Sequence, residues 1–144
     1  MSFELMIFTG LQGSGKTTYY RENLAATHAH VSKDLMRSAS NRDARQRKQI
    51  EDALAAGRSV VVDNTNPRPS DRLPLIEIGR RFGARVIACY FPSPVKDCVA
   101  RNRLREGKAR VPDVAIYVAS RRLVPPSIEE GFDEVRIVQI PPAV

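Results

Sequence analysis

The chain has 144 residues, enough for one domain with a real core and too few for a second catalytic module. Hydrophobic content of 42% with 27% charged residues is that of an ordinary globular protein, and the apolar runs are too short to span a membrane. Lysine plus arginine outnumber the acids 23 to 16, a net charge of +7 that suits either a polyanionic partner or a solvated basic face.

In chain order, Leu5 to Phe8 forms a short apolar run, the pattern of a strand buried on both faces. Gly10-Leu-Gln-Gly13-Ser14-Gly15-Lys16-Thr17 follows, which fits G-x-x-x-x-G-K-[ST]. Gly10, Gly13 and Gly15 let the backbone curl so that successive N–H groups face phosphate oxygens. Ser14 and Thr18 belong to the same cradle. Lys16 brings a point charge to the β- and γ-phosphates, and the Thr17 hydroxyl suits Mg²⁺. Thr17 to Ala26 is predicted as a helix with its N-terminus at the phosphates. ATP or another nucleoside triphosphate is therefore the expected ligand, with Mg²⁺ beside it.

His28 and His30 are expected to be solvated, as in a loop, and a short second strand is predicted over Ala29 to Ser32. Asp34 comes just past that strand. It is placed either to accept the proton of an attacking hydroxyl or to cap a helix, with Arg37 three residues on to clamp an anionic acceptor or pair with it. Asn41 to Ala56 reads as a charged helix closed by Gly57. Val60 to Val62 is a third strand, ending at Asp63, which either organises Mg²⁺, directly or through water, or caps the next turn.

Asn64 to Ser70 is predicted as a loop, with Ser70 as N-cap of a helix to Phe82 and Pro74 in its first turn. A strand over Arg85 to Phe91 and a helix over Val95 to Arg105 come next. Cys89 and Cys98 read as buried free thiols. Arg101, Arg103, Arg105, Lys108 and Arg110 then crowd around Gly107. This is either a basic lid, about residues 101–112, that brings Arg101 and Arg105 over the phosphates, or a solvated helix end. Val114 to Leu123 is a helix, and Val135 to Ile140 a strand with the polar interruptions of a sheet edge.

Strand–helix alternation implies an α/β fold, a parallel sheet of about five strands with helices on both faces. Ligands in such sheets sit beyond the carboxyl ends of strands, where the phosphate loop, Lys33-Asp34 and Asp63-Asn64 would converge. Residues 1–144 are expected to form a single domain. The N-terminus lacks a basic region before a long apolar stretch, so a cytoplasmic location without a signal peptide is expected.

Taken together, Gly10–Thr17, Ser32-Lys-Asp34-Leu-Met-Arg37, Val62-Asp63-Asn-Thr-Asn66-Pro67, Arg101-Asn102-Arg103-Leu-Arg105, Val111-Pro112 and Pro126-Ser-Ile-Glu-Glu-Gly131-Phe132 carry a resemblance. The chain resembles the 5′-kinase domain of polynucleotide kinases, both the bacteriophage enzyme and the kinase half of the animal kinase/phosphatase. The resemblance implies a P-loop kinase fold and ATP-dependent phosphorylation of the 5′-OH end of DNA or RNA. It makes Asp34 the general base, Arg37 a contact to an acceptor phosphate, and Arg105 with Arg101 the lid contacts to ATP. Ser32-Lys33 stands where the family often has Asn-Arg. The phosphatase motif Asp-x-Asp-x-Thr is absent from this sequence. Two further readings fit the loop: a kinase of a small-molecule hydroxyl (sugar, nucleotide-sugar or antibiotic), or a regulatory nucleotide-dependent switch. The second of these lacks an Asn-Lys-x-Asp element.

Overall fold

The computed structural model describes residues 2–36 and 40–141. Five parallel strands run β1 (Glu4–Thr9), β2 (His28–Val31), β3 (Ser59–Val62), β4 (Arg85–Tyr90) and β5 (Glu134–Ile137), in spatial order β2-β3-β1-β4-β5. Between them lie α1 (Lys16–Asn23), α2 (Arg42–Ala55), α3 (Pro69–Arg81), α4 (Val95–Arg103) and α5 (Asp113–Arg122). No helix among the described residues is long and apolar enough to cross a membrane.

β1 is the central strand, and its register dictates two apolar layers. Leu5 and Ile7 sit opposite Val60 and Val62 on one side and Val86 and Ala88 on the other. These six meet Ile50 and Leu54 of α2 and Leu75, Ile76 and Ile78 of α3. Met6 and Phe8 point the other way with Val61, Ile87 and Cys89, and are covered by Tyr20 of α1 and by Phe91. A third cluster, Leu11, Cys98, Val99 and Ile116, seats the phosphate loop against α4 and α5. The chain leaves β1 toward β3 and β2, then returns to the other side for β4. The carboxyl end of β1 is thus the switch point at which a crevice opens.

Several boundaries differ from expectation. Ser70 is not an N-cap: α3 begins at Pro69, two residues earlier than a Ser70 cap requires, with Arg68 as the cap residue and Asp71 bonding back to the Arg68 N–H. Pro74 consequently lies inside the helix rather than in its first turn. β5 ends at Ile137, and 138–140 continue as non-strand chain that packs Val138 and Ile140 onto the second layer. The two histidines are not in a solvated loop. Both belong to β2 and carry acidic partners, Glu4 for His28 and Asp63 for His30. The strand itself stands one residue ahead of the expected Ala29–Ser32, and His-Ala-His-Val alternates polar and apolar residues as a half-buried strand does. Cys89 and Cys98 are buried free thiols, and burial pushes the Cys89 thiol up to about 12.

Candidate active site

The phosphate loop is shaped by its glycines where a side chain would collide. Gly13 has φ +81°, and a Cβ there would come within 2.5 Å of the Cys98 carbonyl oxygen. Gly15, at φ +92°, begins α1 with no side-chain cap, so the first-turn N–H groups are not consumed by one. Gly10 is anchored by donating its N–H to Thr65 O at 3.1 Å. Ser14 is fully buried, while Thr18 is exposed at the mouth of the loop. These residues fit a nucleotide's phosphates: a cradle of main-chain donors too tight for side chains.

Lys16 is buried, its ammonium donating to Gly10 O at 2.9 Å and Leu11 O at 2.8 Å. Burial pushes its pKa down to about 8; Asp63 pulls it back up, and the nearby Arg105 charge pushes it down. The Thr17 hydroxyl donates to Asp63 Oδ2 at 2.7 Å, which leaves the Thr17 oxygen lone pairs to face a cation. Asp63, the buried residue after β3, also receives His30 Nε2 at 2.8 Å on the same oxygen. Burial opposes its ionisation. The hydrogen bond from His30, the Lys16 charge and the hydrogen bond from Thr17 outweigh that and hold the carboxyl below the usual carboxylate range. Thr17 and Asp63 therefore fit Mg²⁺, a hard cation that takes oxygen ligands and keeps water.

Asp34 lies in a 3-10 turn, Lys33–Leu35, exposed on the wall of the same crevice. The N-cap of that turn is Ser32, whose Oγ accepts the Asp34 N–H at 3.2 Å, so the capping role left open for Asp34 is filled. The turn is tied to the residue after Asp63. Lys33 donates its N–H to Asn64 Oδ1 at 3.0 Å, and Asn64 Nδ2 donates to Gln46 Oε1 on α2 at 2.6 Å. Arg37 lies outside the described residues.

The basic stretch has a pinned neck. Buried Asn102 donates to Val111 O at 2.6 Å and accepts the Val111 N–H at 3.0 Å, closing the loop between them. Arg105 lines the crevice on the inner side of that loop. Arg101 does something different from Arg105. It donates to Gly13 O at 3.1 Å and to Pro141 O at 2.5 Å, so it braces the phosphate loop against the C-terminal segment.

Behind the loop sits a network that spacing alone did not reveal. Asn66, at φ +40°, donates to Phe8 O at 2.8 Å and accepts from Thr9 Oγ1 at 3.2 Å. Arg72, fully buried, donates to Asn66 O at 2.9 Å and Val124 O at 3.0 Å and grips both Glu130 oxygens, at 2.8 and 2.9 Å. The Asp-Asn-Thr-Asn and Glu-Glu-Gly-Phe segments are thus two ends of one tie across the strand exit.

Thr17, Thr18, Asp34, Asn64, Asn66 and Arg105 border one groove of about 1210 Å³. Gln12 and His30 line it too, with the basic side chains of Arg21, Lys33, Arg42 and Arg47. A parallel sheet with a glycine cradle at its switch point, a Thr–Asp pair beside it and a pinned basic loop defines a P-loop kinase domain. The chain belongs to the AAA domain family (AAA_33), whose sequence pattern matches residues 5–126. The bifunctional polynucleotide phosphatase/kinase of Schizosaccharomyces pombe is 27% identical over 139 residues, 94% of this chain and 33% of that protein. The chain spans about a third of the length of the curated relatives it matches. Among solved structures, a fungal RNA kinase superposes with a TM-score of 0.70 at 18% identity, over 100% of this chain and 39% of that one. A gluconokinase from Sinorhizobium meliloti 1021 gives 0.69 at 17% identity, over 97% and 85%. At these identities the two structures speak for the fold alone.

Proposed function

We propose that this domain transfers the γ-phosphoryl group of ATP to the 5′-OH end of DNA or RNA. The observation that carries the reading is the groove. Asp34 and the phosphate-loop residues Gln12 and Thr17 border one cavity of about 1210 Å³, lined also by Arg21, Lys33, Arg42, Arg47 and Arg105, cations suited to the phosphates of a polyanionic acceptor. The named relative supports a polynucleotide acceptor, and the net charge of +7 agrees with it.

In this reading the glycine cradle and the first turn of α1 hold the donor phosphates. Lys16 leaves the loop carbonyls to stabilise charge on the transferring group, with Arg105 facing it from the lid loop of about residues 101–112. Arg101 serves the nucleotide indirectly, by bracing the loop. Asp34, exposed and held by the Ser32 cap, accepts or orients the proton of the attacking hydroxyl. Arg37 contacts an acceptor phosphate. Mg²⁺, when held by Thr17 and through water by Asp63, would offset phosphate charge.

The test is an acceptor panel with labelled ATP and Mg²⁺: 5′-OH DNA, 5′-OH RNA, nucleoside 3′-phosphate, and sugars including gluconate. Label on an oligonucleotide 5′ end, lost in Asp34→Asn with ATP affinity kept within about twofold, is the expected result. Label on a sugar alone sinks the polynucleotide reading. Full activity in Asp34→Asn removes Asp34 from the base role.

A further inference from the structure

One face of α1 reaches Asp63 by two routes. Thr17 bonds it directly, and three residues on Tyr20 reaches it through His30. The Tyr20 ring lies 4.1 Å from the imidazole, nearly parallel at 16°, and its hydroxyl donates to His28 O at 2.6 Å. Ring and main chain are thereby fixed together. His30 Nε2 stands 2.8 Å from Asp63 Oδ2, and the Asp63 side chain is only 3% exposed.

Since the carboxylate is the acceptor, Nε2 carries the proton, and this hydrogen bond selects the imidazole tautomer. Thr17 and His30 both bond to Oδ2. Two donors on one oxygen fix the plane of the carboxylate and hence the position of Oδ1. A carboxylate held by Thr17 alone could rotate about its last torsion, which is soft.

We propose that His30, clamped by Tyr20, is a positioning residue that presets Asp63 and Thr17 for a divalent cation. The inference rests on the metal reading of Thr17 and Asp63 given above, and is independent of the acceptor. Partners that orient metal ligands commonly govern affinity by about 10- to 100-fold when lost.

The experiment measures Mn²⁺ affinity by electron paramagnetic resonance in the presence of ADP, alongside metal-free ADP affinity and melting temperature. Variants are His30→Ala, His30→Gln, Tyr20→Leu, Asp63→Asn and His30→Ala/Asp63→Asn. His30→Ala is expected to weaken Mn²⁺ about tenfold while metal-free ADP affinity stays within about twofold. His30→Gln, whose amide can donate from a similar position, restores most of it. The double variant binds Mn²⁺ no more weakly than Asp63→Asn, as two residues acting through one group must. Should His30→Ala fail to fold, Tyr20→Leu carries the test, with an expected loss of about threefold. Unchanged Mn²⁺ affinity in His30→Ala, or in Tyr20→Leu where it stands in, beside a loss in Asp63→Asn, overturns the inference and leaves the metal reading standing. Unchanged affinity in Asp63→Asn overturns both.

Discussion

Nucleotide binding should be accompanied by proton uptake that grows with pH, and Lys16 is the reason. Its ammonium is buried among loop carbonyls at 2.8 and 2.9 Å, with a pKa lowered by burial from 10.5 to about 8. A phosphate beside the amine favours the charged form and returns the pKa toward its ordinary value. With a free-state pKa of about 8, about a quarter of the molecules carry the charge at about pH 8.5, so ADP binding takes up about 0.75 proton per site. At about pH 7.5 the uptake falls to about 0.25. Calorimetry in buffers of different ionisation enthalpy reads these numbers from the slope of binding heat against buffer enthalpy. ADP is already fully ionised at both values, and the Lys16→Arg variant, charged throughout, should show no such dependence. Uptake near zero at both pH values would falsify the reasoning, because Lys16 would then be charged in the free protein. The stability sign follows from the same asymmetry. Between about pH 8 and pH 10.5 the folded chain holds fewer protons at this residue than the unfolded chain, so its contribution to stability rises with pH across that window.

Replacing Arg72 by Met strips Glu130 and two carbonyls of their donor inside the protein. Breaking a buried pair in this way costs about 3–5 kcal/mol, and thermal unfolding should shift down by about 10–20 °C. A loss under about 1 kcal/mol would mean water replaces the guanidinium. Gly13→Ala and Gly57→Ala make a matched pair, at φ +81° and +76°. Both carry the left-handed backbone cost of about 1–2 kcal/mol, but the Gly57 site is open whereas the Gly13 site meets the Cys98 carbonyl. ADP affinity should therefore drop at least about tenfold in Gly13→Ala and remain unchanged in Gly57→Ala. Equal ADP affinities in the two variants would show that the Cys98 contact does not shape the cradle.

What the sequence disclosed follows from which interactions are local. The phosphate loop is legible because its residues act through their own backbone, within eight consecutive positions. β1 and β3 are legible because strands buried on both faces must be apolar throughout. β2 is legible in place, within one residue of the expected Ala29–Ser32, but not the setting of its histidines: half-buried and at a sheet edge, it takes His28 and His30 as readily as apolar side chains, and polar residue types suggest a solvated loop. The start of α3 was misplaced for a related reason. Ser70 is the better cap by type, yet Asp71 bonding back to Arg68 fixes the start two residues earlier.

The connecting residues escape spacing arguments for a deeper reason. His30 meets Asp63 across 33 positions, Arg72 meets Glu130 across 58, and Asn66 meets Phe8 across 58. No period links such pairs; only strand order and register bring them together. In the parallel pairing His30 stands opposite Val61 and Val31 opposite Val62, and Asp63 then donates its N–H to Val31 O at 2.8 Å. Slipping β2 by one residue would turn its side chains to opposite faces and leave Asp63 buried without its second donor. The register that closes the hydrophobic layers is therefore also the register that satisfies the acid, so the stability of the sheet and the geometry of the site depend on the same alignment.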